Sequence, residues 1–325
     1  MIQVKDLRKS YRVKQKSVGF SGGLRSLFRP EYSEIEAVGN INFSVEKGDM
    51  LAFIGPNGAG KSTTIKMMTG TLYPTSGSIE CLGMSPQKDR KKLAYHIGSV
   101  FGQKPQLWYH LPPIDTYQLL SRIYELDRTE YQSRLEMLVA KFEIEDLLTT
   151  PVRKLSLGQR MRCEIAASLL HRPKIIFLDE PTIGLDVIAK NQIREVIREL
   201  NEKEGVTIFL TSHDAGDIES LAKRTIVINH GTLVFDDSTE RFKQNYIRSK
   251  TIELFFEEST DAFDYPKGKV TERTKHQIKV ELDQSRDSIE RLLHYAIENF
   301  TLQDVNIYEP PMEEIISAIY QEHAA

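Results

Sequence analysis

Three features of this 325-residue sequence predict an α/β core with an inserted helical subdomain and a small α+β domain behind it. Over the first ~240 residues, short β-rich runs alternate with helical periodicity, the pattern of an α/β layer structure. From about 104 to 170 helical spacing dominates and strands are scarce, so this stretch reads as an insertion into the core. From about 250 to 325, period-two alternation returns around one strongly amphipathic helix.

In chain order, Met1-Ile2-Gln3-Val4-Lys5-Asp6 alternates like a strand and lacks the apolar centre of a signal peptide. An insertion, Arg12 to Glu36, reads as a long link between the first two strands. Ile41 to Val45 and Met50 to Ile54 follow as strands, the second running straight into a glycine loop, with a helix from about Lys61 to Met68. Helical spacing then takes over at Leu119, Leu120, Ile123 and Leu126, and at Leu135, Leu138, Val139 and Phe142. Strands return at Lys174 to Leu178, Val206 to Leu210, Thr225 to Ile228 and Thr232 to Phe235. In the last domain, Ile252, Leu254 and Phe256 form one half-buried strand and Ile278, Val280 and Leu282 another. Ile289, Leu292, Ala296 and Phe300 share a helical face, Val305 and Ile307 mark a third strand, and a closing helix is expected after Pro310-Pro311.

A net charge of −3 gives no global electrostatic case for nucleic acid, and none is expected as a partner. Cys81 and Cys163 have neither metal-ligand spacing nor the density of a disulfide scaffold, which favours a reducing compartment. No apolar run approaches the ~20 residues that span a bilayer. The expected place is the cytosol, with any membrane role reached through partners.

The chemistry lies in a few short motifs. Gly55-Pro56-Asn57-Gly58-Ala59-Gly60-Lys61-Ser62 fits G-x-x-x-x-G-K-[ST] between a strand and a helix. Its backbone N–H groups can wrap phosphate at a helix N-terminus. Lys61 would hold the β- and γ-phosphates and Ser62 would ligate Mg²⁺. Ile175 to Leu178 is an apolar strand ending in Asp179 and Glu180, at the carboxyl edge where ligands bind. Asp179 is expected to act on Mg²⁺ through water, and Glu180 to polarise the attacking water.

Further motifs narrow the class: Gln103 in Val100-Phe101-Gly102-Gln103, Leu155-Ser156-Leu157-Gly158-Gln159-Arg160 before a helix, Gly184-Leu185-Asp186, and His213 after a strand. Their order and spacing over residues 1 to about 240 resemble the ABC ATPase family, a P-loop NTPase fold. The resemblance implies that Gln103 touches Mg²⁺ or the lytic water, and that Ser156 and Gly158 bind the γ-phosphate of nucleotide on the opposite subunit. It implies further that Asp186 lies at the dimer interface, that His213 senses the γ-phosphate and that Tyr11 stacks on adenine. Gly55, Asn57, Gly58, Gly60 and Thr63 complete the nucleotide contacts. The sequence departs from the common LSGGQ form at Leu157, which keeps the serine hydroxyl and the second glycine's N–H, so activity is expected to survive.

The resemblance makes the chain an ATP-hydrolysing subunit of an exporter, using ATP and Mg²⁺ and working as a dimer, expected to be a homodimer, on separate six-helix membrane subunits. It is then peripheral to the cytoplasmic face of a bacterial membrane. The insertion, together with FGQKPQLWYHLPPIDTYQLL and LSLGQRMRCEIAASLL, resembles the viologen- or multidrug-type export ATPases, with daunorubicin-type ones as near relatives. Polysaccharide or teichoic-acid export ATPases are the alternative within transport, and a soluble ABC ATPase the alternative outside it. Trp108 and Tyr109 either anchor a membrane subunit or pack inside the helical subdomain. Leu24 to Arg29 reads either as an amphipathic membrane-facing turn or as a solvated loop. The final domain shows no catalytic constellation, and stabilising or regulating the dimer are its expected roles.

Overall fold

The computed structural model describes residues 1–14, 32–102, 105–246, 249–283, 286–308 and 316. The chain divides into two compact units, Met1–Thr239 and Glu240–Ala325.

In the first unit, β1 (Ile2–Lys14), β2 (Tyr32–Val45) and β4 (Ser76–Cys81) form an antiparallel sheet in the order β2-β1-β4. β3 (Met50–Ile54) lies in the main sheet, with α1 (Lys61–Met68) after it and α2 (Arg90–Ala94) after β4. Then come β5 (Ile97–Phe101) and the helices α3 (Pro113–Ile123), α4 (Arg128–Phe142) and α5 (Leu157–Leu169). β6 (Ile175–Asp179), α6 (Val187–Glu204), β7 (Thr207–Thr211), α7 (Ala215–Leu221), β8 (Arg224–Asn229) and β9 (Thr232–Ser238) complete the unit. The main sheet has the order β5-β6-β7-β3-β8-β9, parallel except for β9.

That order places the site. β3 is buried at all five residues and runs parallel between β7 and β8. The loop leaving its carboxyl end therefore emerges on the same edge as the ends of β6 and β7, the crevice where open α/β sheets bind ligands. Continuous apolar runs suit strands covered on both faces, and alternate residues of β6 enter two separate cores. Ile176 and Leu178 pack with Tyr117, Leu138, Phe142 and Ile165 of the helical layer. Ile175 and Phe177 pack with Leu7, Val38 and Ile65 on the other side. There Phe43, Phe53, Phe177 and Phe209 pack as tilted rings at centroid spacings of 5.3 to 6.3 Å.

The stretch from Arg12 to Glu36 differs from the expected link. The β1–β2 ladder continues outward through Tyr11↔Ile35, Arg12↔Glu34, Val13↔Ser33 and Lys14↔Tyr32. Aromatic and β-branched residues and a cross-strand Arg–Glu pair suit a pleated ribbon, so both ends of the insertion are strand. The turn expected at Leu24 to Arg29 lies outside the described residues.

The second unit contains α8 (Thr239–Tyr246), at whose start the division falls, and an antiparallel sheet. Its strands are β10 (Ser249–Phe256), β11 (Lys269–Arg273), β12 (Gln277–Asp283) and β13 (Leu302–Tyr308), ordered β11-β12-β10-β13. α9 (Ile289–Asn299) joins β12 to β13, a split β-α-β arrangement. Ile252, Leu254, Ile278, Val280, Leu292 and Ala296 form its core. β11 was not expected: Lys-Val-Thr-Glu-Arg carries a single apolar residue, as an edge strand can. Apart from Ile316, the helix expected after Pro310-Pro311 lies outside the described residues.

Candidate functional site

The glycine loop ends at Gly60, which precedes α1 with φ +108°. A Cβ there would stand 2.4 Å from the Ala37 carbonyl oxygen, so both dihedral and space demand glycine. No side chain caps α1, and its first-turn amides remain available to an anion. Asn57 and Gly58 form the exposed crest of the loop, while Gly55 is buried at its foot and Thr63 half-buried on α1.

Lys61 is buried beneath this crest. Its Nζ donates to the carbonyls of Gly55 (2.5 Å) and Pro56 (3.2 Å) and lies 3.1 Å from His213 Nε2. Burial lowers the ammonium pKa from its ordinary value, against the raising charges of Glu180 and Asp179. Ser62 Oγ donates to Asp179 Oδ2 at 2.9 Å. Thr211 Oγ1 donates to the other carboxylate oxygen at 2.6 Å, because Asp179 and Thr211 are paired across β6 and β7. Thr211 was not singled out from sequence, since a threonine ending an apolar strand has no signature of its own.

Glu180 is held at φ +55°, its N–H donating to the Thr211 carbonyl at 3.0 Å. A left-handed conformation costs a non-glycine residue on the order of 1 kcal/mol or more and turns the side chain away from the strand direction. His213 Nε2 lies 3.1 Å from Glu180 Oε1. One ring nitrogen thus has a cation and a carboxylate equally close. A neutral imidazole serves them one at a time, as acceptor from Lys61 or as donor to Glu180. Burial, reinforced by the Lys61 charge, lowers the His213 pKa against the pull of Glu180 and Asp179, so the neutral ring prevails at pH 7.

The other candidates stand apart from this cluster. Ser156 is the N-cap of α5: its hydroxyl accepts from Gln159 N–H at 3.2 Å, and the Gln159 side chain accepts from Ser156 N–H at 2.9 Å. The side chain of Ser156 is exposed. Leu157 is the first residue of the helix, without positive φ, so no glycine is required there. Gly158 packs closely on α6, where a Cβ would lie 3.1 Å from that of Ala189. Asp186 caps α6, accepting from Ala189 N–H at 2.9 Å. Beside it Val187 and Ile188 are 71% and 74% exposed. Tyr11 lies on β1, 39% exposed, with Lys9 Nζ 5.2 Å over its ring.

Gln103 falls outside the described residues, yet both flanks of its loop are fixed. Gly102 N–H donates to the Asp179 carbonyl at 2.9 Å. On the far side the Glu164 carboxylate, on α5, accepts from the N–H groups of Gln106 (2.9 Å) and Leu107 (3.3 Å). Burial raises the Glu164 pKa, and those two amide bonds oppose the shift. Trp108 and Tyr109 follow immediately, 49% and 53% exposed rather than packed inside the helices.

Among the described residues no group of three or more His, Cys, Asp or Glu converges on a point. Ser62 and Asp179 suit Mg²⁺ instead, which takes one or two protein oxygens and completes its shell with phosphate and water.

Residues 38–183 match the family model described as ABC transporter. The chain is 31% identical over 229 residues to the ABC transporter ATP-binding protein NatA of Bacillus subtilis, covering 70% of this chain and 92% of that protein. It is 34% identical over 214 residues to the bacitracin transport ATP-binding protein BcrA of Bacillus licheniformis, covering 66% and 68%. Among solved structures it is similar to a dimeric ATP-binding cassette in a post-hydrolysis state with ADP and Pi. That likeness has a TM-score of 0.61 and 25% identity, over 73% of this chain and 98% of that one.

Proposed function

The chain belongs to the ABC transporter family as an ATP-binding, ATP-hydrolysing subunit, and from that premise we propose that it drives an exporter as a homodimer acting on separate membrane subunits. The observation that supports this most is the split of the site. Lys61, Ser62, Asp179, Glu180 and His213 are joined within one chain, while Ser156 and Gly158 lie at the exposed start of α5 with no bond to them among the described residues. A second copy, related by a two-fold axis, would bring that helix start onto the first copy's nucleotide.

In this reading ATP lies on the glycine loop, its adenine on Tyr11 and its phosphates on the α1 amides and Lys61. The carbonyls that hold Lys61 are exchanged for phosphate oxygens. Ser62, with Asp179 through water and Gln103 on the ion or the lytic water, would hold Mg²⁺, which would supply positive charge against the phosphates. Glu180 takes a proton from the attacking water. His213 leaves Glu180 to hold the γ-phosphate, as its doubly poised nitrogen permits. Ser156 and Gly158 of the second copy close over that phosphate, with Asp186 at the seam. Loss of the γ-phosphate removes those contacts and the pair opens.

Transport agrees with relatives such as the bacitracin transport protein; export as its direction rests on the family resemblance, and within export we favour the viologen- or multidrug-type branch. Trp108 and Tyr109, exposed beside the glutamine loop, are the proposed contact with a membrane subunit, which puts the chain at the cytoplasmic face of the membrane. No helix among the described residues is long and apolar enough to cross one. Residues 1–240 form the ATPase domain in this proposal and 250–325 a domain that stabilises or regulates the pair.

The test is Glu180→Gln. The variant should keep ATP, elute as a closed dimer in its presence, and hydrolyse ~10²–10⁴ times more slowly if Glu180 is the base. Near-normal turnover would remove Glu180 from that role.

A further inference from the structure

Behind the cluster lies a carboxylate that no phosphate could reach. Asp217, on α7, is completely buried. One of its oxygens accepts from Thr182 Oγ1 at 2.5 Å and from Ser212 Oγ at 2.6 Å. The other accepts from Arg194 Nε of α6 at 2.7 Å. The same guanidinium reaches Asp214 through Nη2 at 2.7 Å. Thr182 stands two residues after Glu180 and Ser212 one residue before His213. Two loops that leave neighbouring strands, each carrying one proposed reacting side chain, thus meet on a single buried oxygen.

We propose that Asp217 is a positioning residue for hydrolysis, clamping the Glu180 and His213 loops to each other. A buried ion pair is weak evidence for stability, because desolvation offsets most of its attraction, whereas its geometry is narrowly defined. The clamp has something to hold. Glu180 is kept in a left-handed conformation, and His213, 3.1 Å from Glu180 here, must stay close enough to turn from it to the γ-phosphate. A slip of one loop by ~1 Å would misplace base and phosphate sensor relative to each other, an error that can cost ~10²-fold in rate. The hydroxyls of Thr182 and Ser212 set the distance, and Arg194 holds the other oxygen of Asp217.

This inference rests on the proposed roles of Glu180 and His213, and its test separates the two. Thr182→Val and Ser212→Ala are near-isosteric losses of one donor each. Measured where each variant is fully folded, they should lower kcat for ATP about tenfold, ~1.4 kcal/mol, with KM close to the parent's, while the thermal midpoint falls by a few degrees as a buried carboxylate loses a donor. Thr182→Ser should restore the rate. Asp217→Asn should fall at least as far. Placed on Glu180→Gln, Thr182→Val should add little, since both changes act through one side chain. A Thr182→Val rate equal to the parent's, or one that falls only as the folded fraction falls, overturns the clamp. Normal turnover by Glu180→Gln alongside a slow Thr182→Val would instead refute the role of Glu180 and leave a clamp acting through His213.

Discussion

Among the described residues, Lys61, His213 and Glu180 are bonded in one series and Ser62 and Asp179 in another, whereas Ser156 and Gln159 bond only within their own helix turn and Ser156 faces solvent. The first region lies at the carboxyl edge of a parallel sheet, where three strand ends fix every side chain. The second lies at the free end of a helix whose far end is anchored. There His171, just past α5, is within hydrogen-bonding distance of the Ile97 carbonyl at 2.9 Å and stacks on Tyr124 at 3.9 Å. In the proposed pair, the difference lets one fold carry half of each of two sites. The grasping half is bonded within itself, and the closing half is capped but presented outward.

The largest expected effect breaks the first half. Lys61→Ala should weaken ATP binding by ten- to several-hundredfold, since charge-assisted phosphate bonds contribute about 1.5–3 kcal/mol each. Equilibrium binding of ATP to the variant measures it, and an unchanged affinity would place the phosphates elsewhere.

The anchor of the second half should fail in acid. Burial pushes the His171 pKa down to about 4, below the ~6.5 of an unfolded histidine. Between those values the unfolded chain binds a proton that the fold refuses. Stability is therefore complete above about pH 6.5 and is lost as pH falls toward 4, by up to about 3 kcal/mol. Urea midpoints measured from pH 7.5 to 4.5 should show the loss, and His171→Gln should flatten the part of it that belongs to this ring. An equal slope in the variant would assign it to other groups.

Ser156→Ala should separate capping from chemistry. Losing the cap costs about 1 kcal/mol, a thermal shift of about 2–4 °C for a domain of this size. ATP affinity of the single chain should be kept while hydrolysis in the pair falls. Smallest of all, Leu157→Gly should cost up to about 1 kcal/mol in helix stability and leave hydrolysis in place, because the residue already has helical backbone. Much faster turnover in that variant would mean that the leucine restrains closure.

The grasping half was legible because a phosphate loop demands particular residues at particular spacing, and because an apolar strand ending in two acids has few other uses. The strands β3, β6, β7 and β8 were legible for the same reason, as continuous apolar runs bounded by turns. Thr211, Thr182, Ser212 and Asp217 were not. Each is an ordinary polar residue whose partner is chosen by strand register and helix packing, up to 35 positions away. The outward extension of β1 and β2 was hidden by the charged residues interleaved in it. β11 was hidden by being a polar edge strand, and the Glu164 bonds to Gln106 and Leu107 span almost 60 positions.

In the proposed pair each site is shared between two chains, and mixing tests this directly. Lys61→Ala spoils the grasping half and Ser156→Ala the closing half, so each alone should hydrolyse ATP poorly. In an equal mixture of freely exchanging chains, half the dimers pair one variant with the other and rebuild one intact site of two. Activity should return to roughly a quarter of the parent's, as two-fold symmetry requires. A mixture no more active than the average of its parts would contradict the account, leaving each chain to work with its own Ser156 or without it.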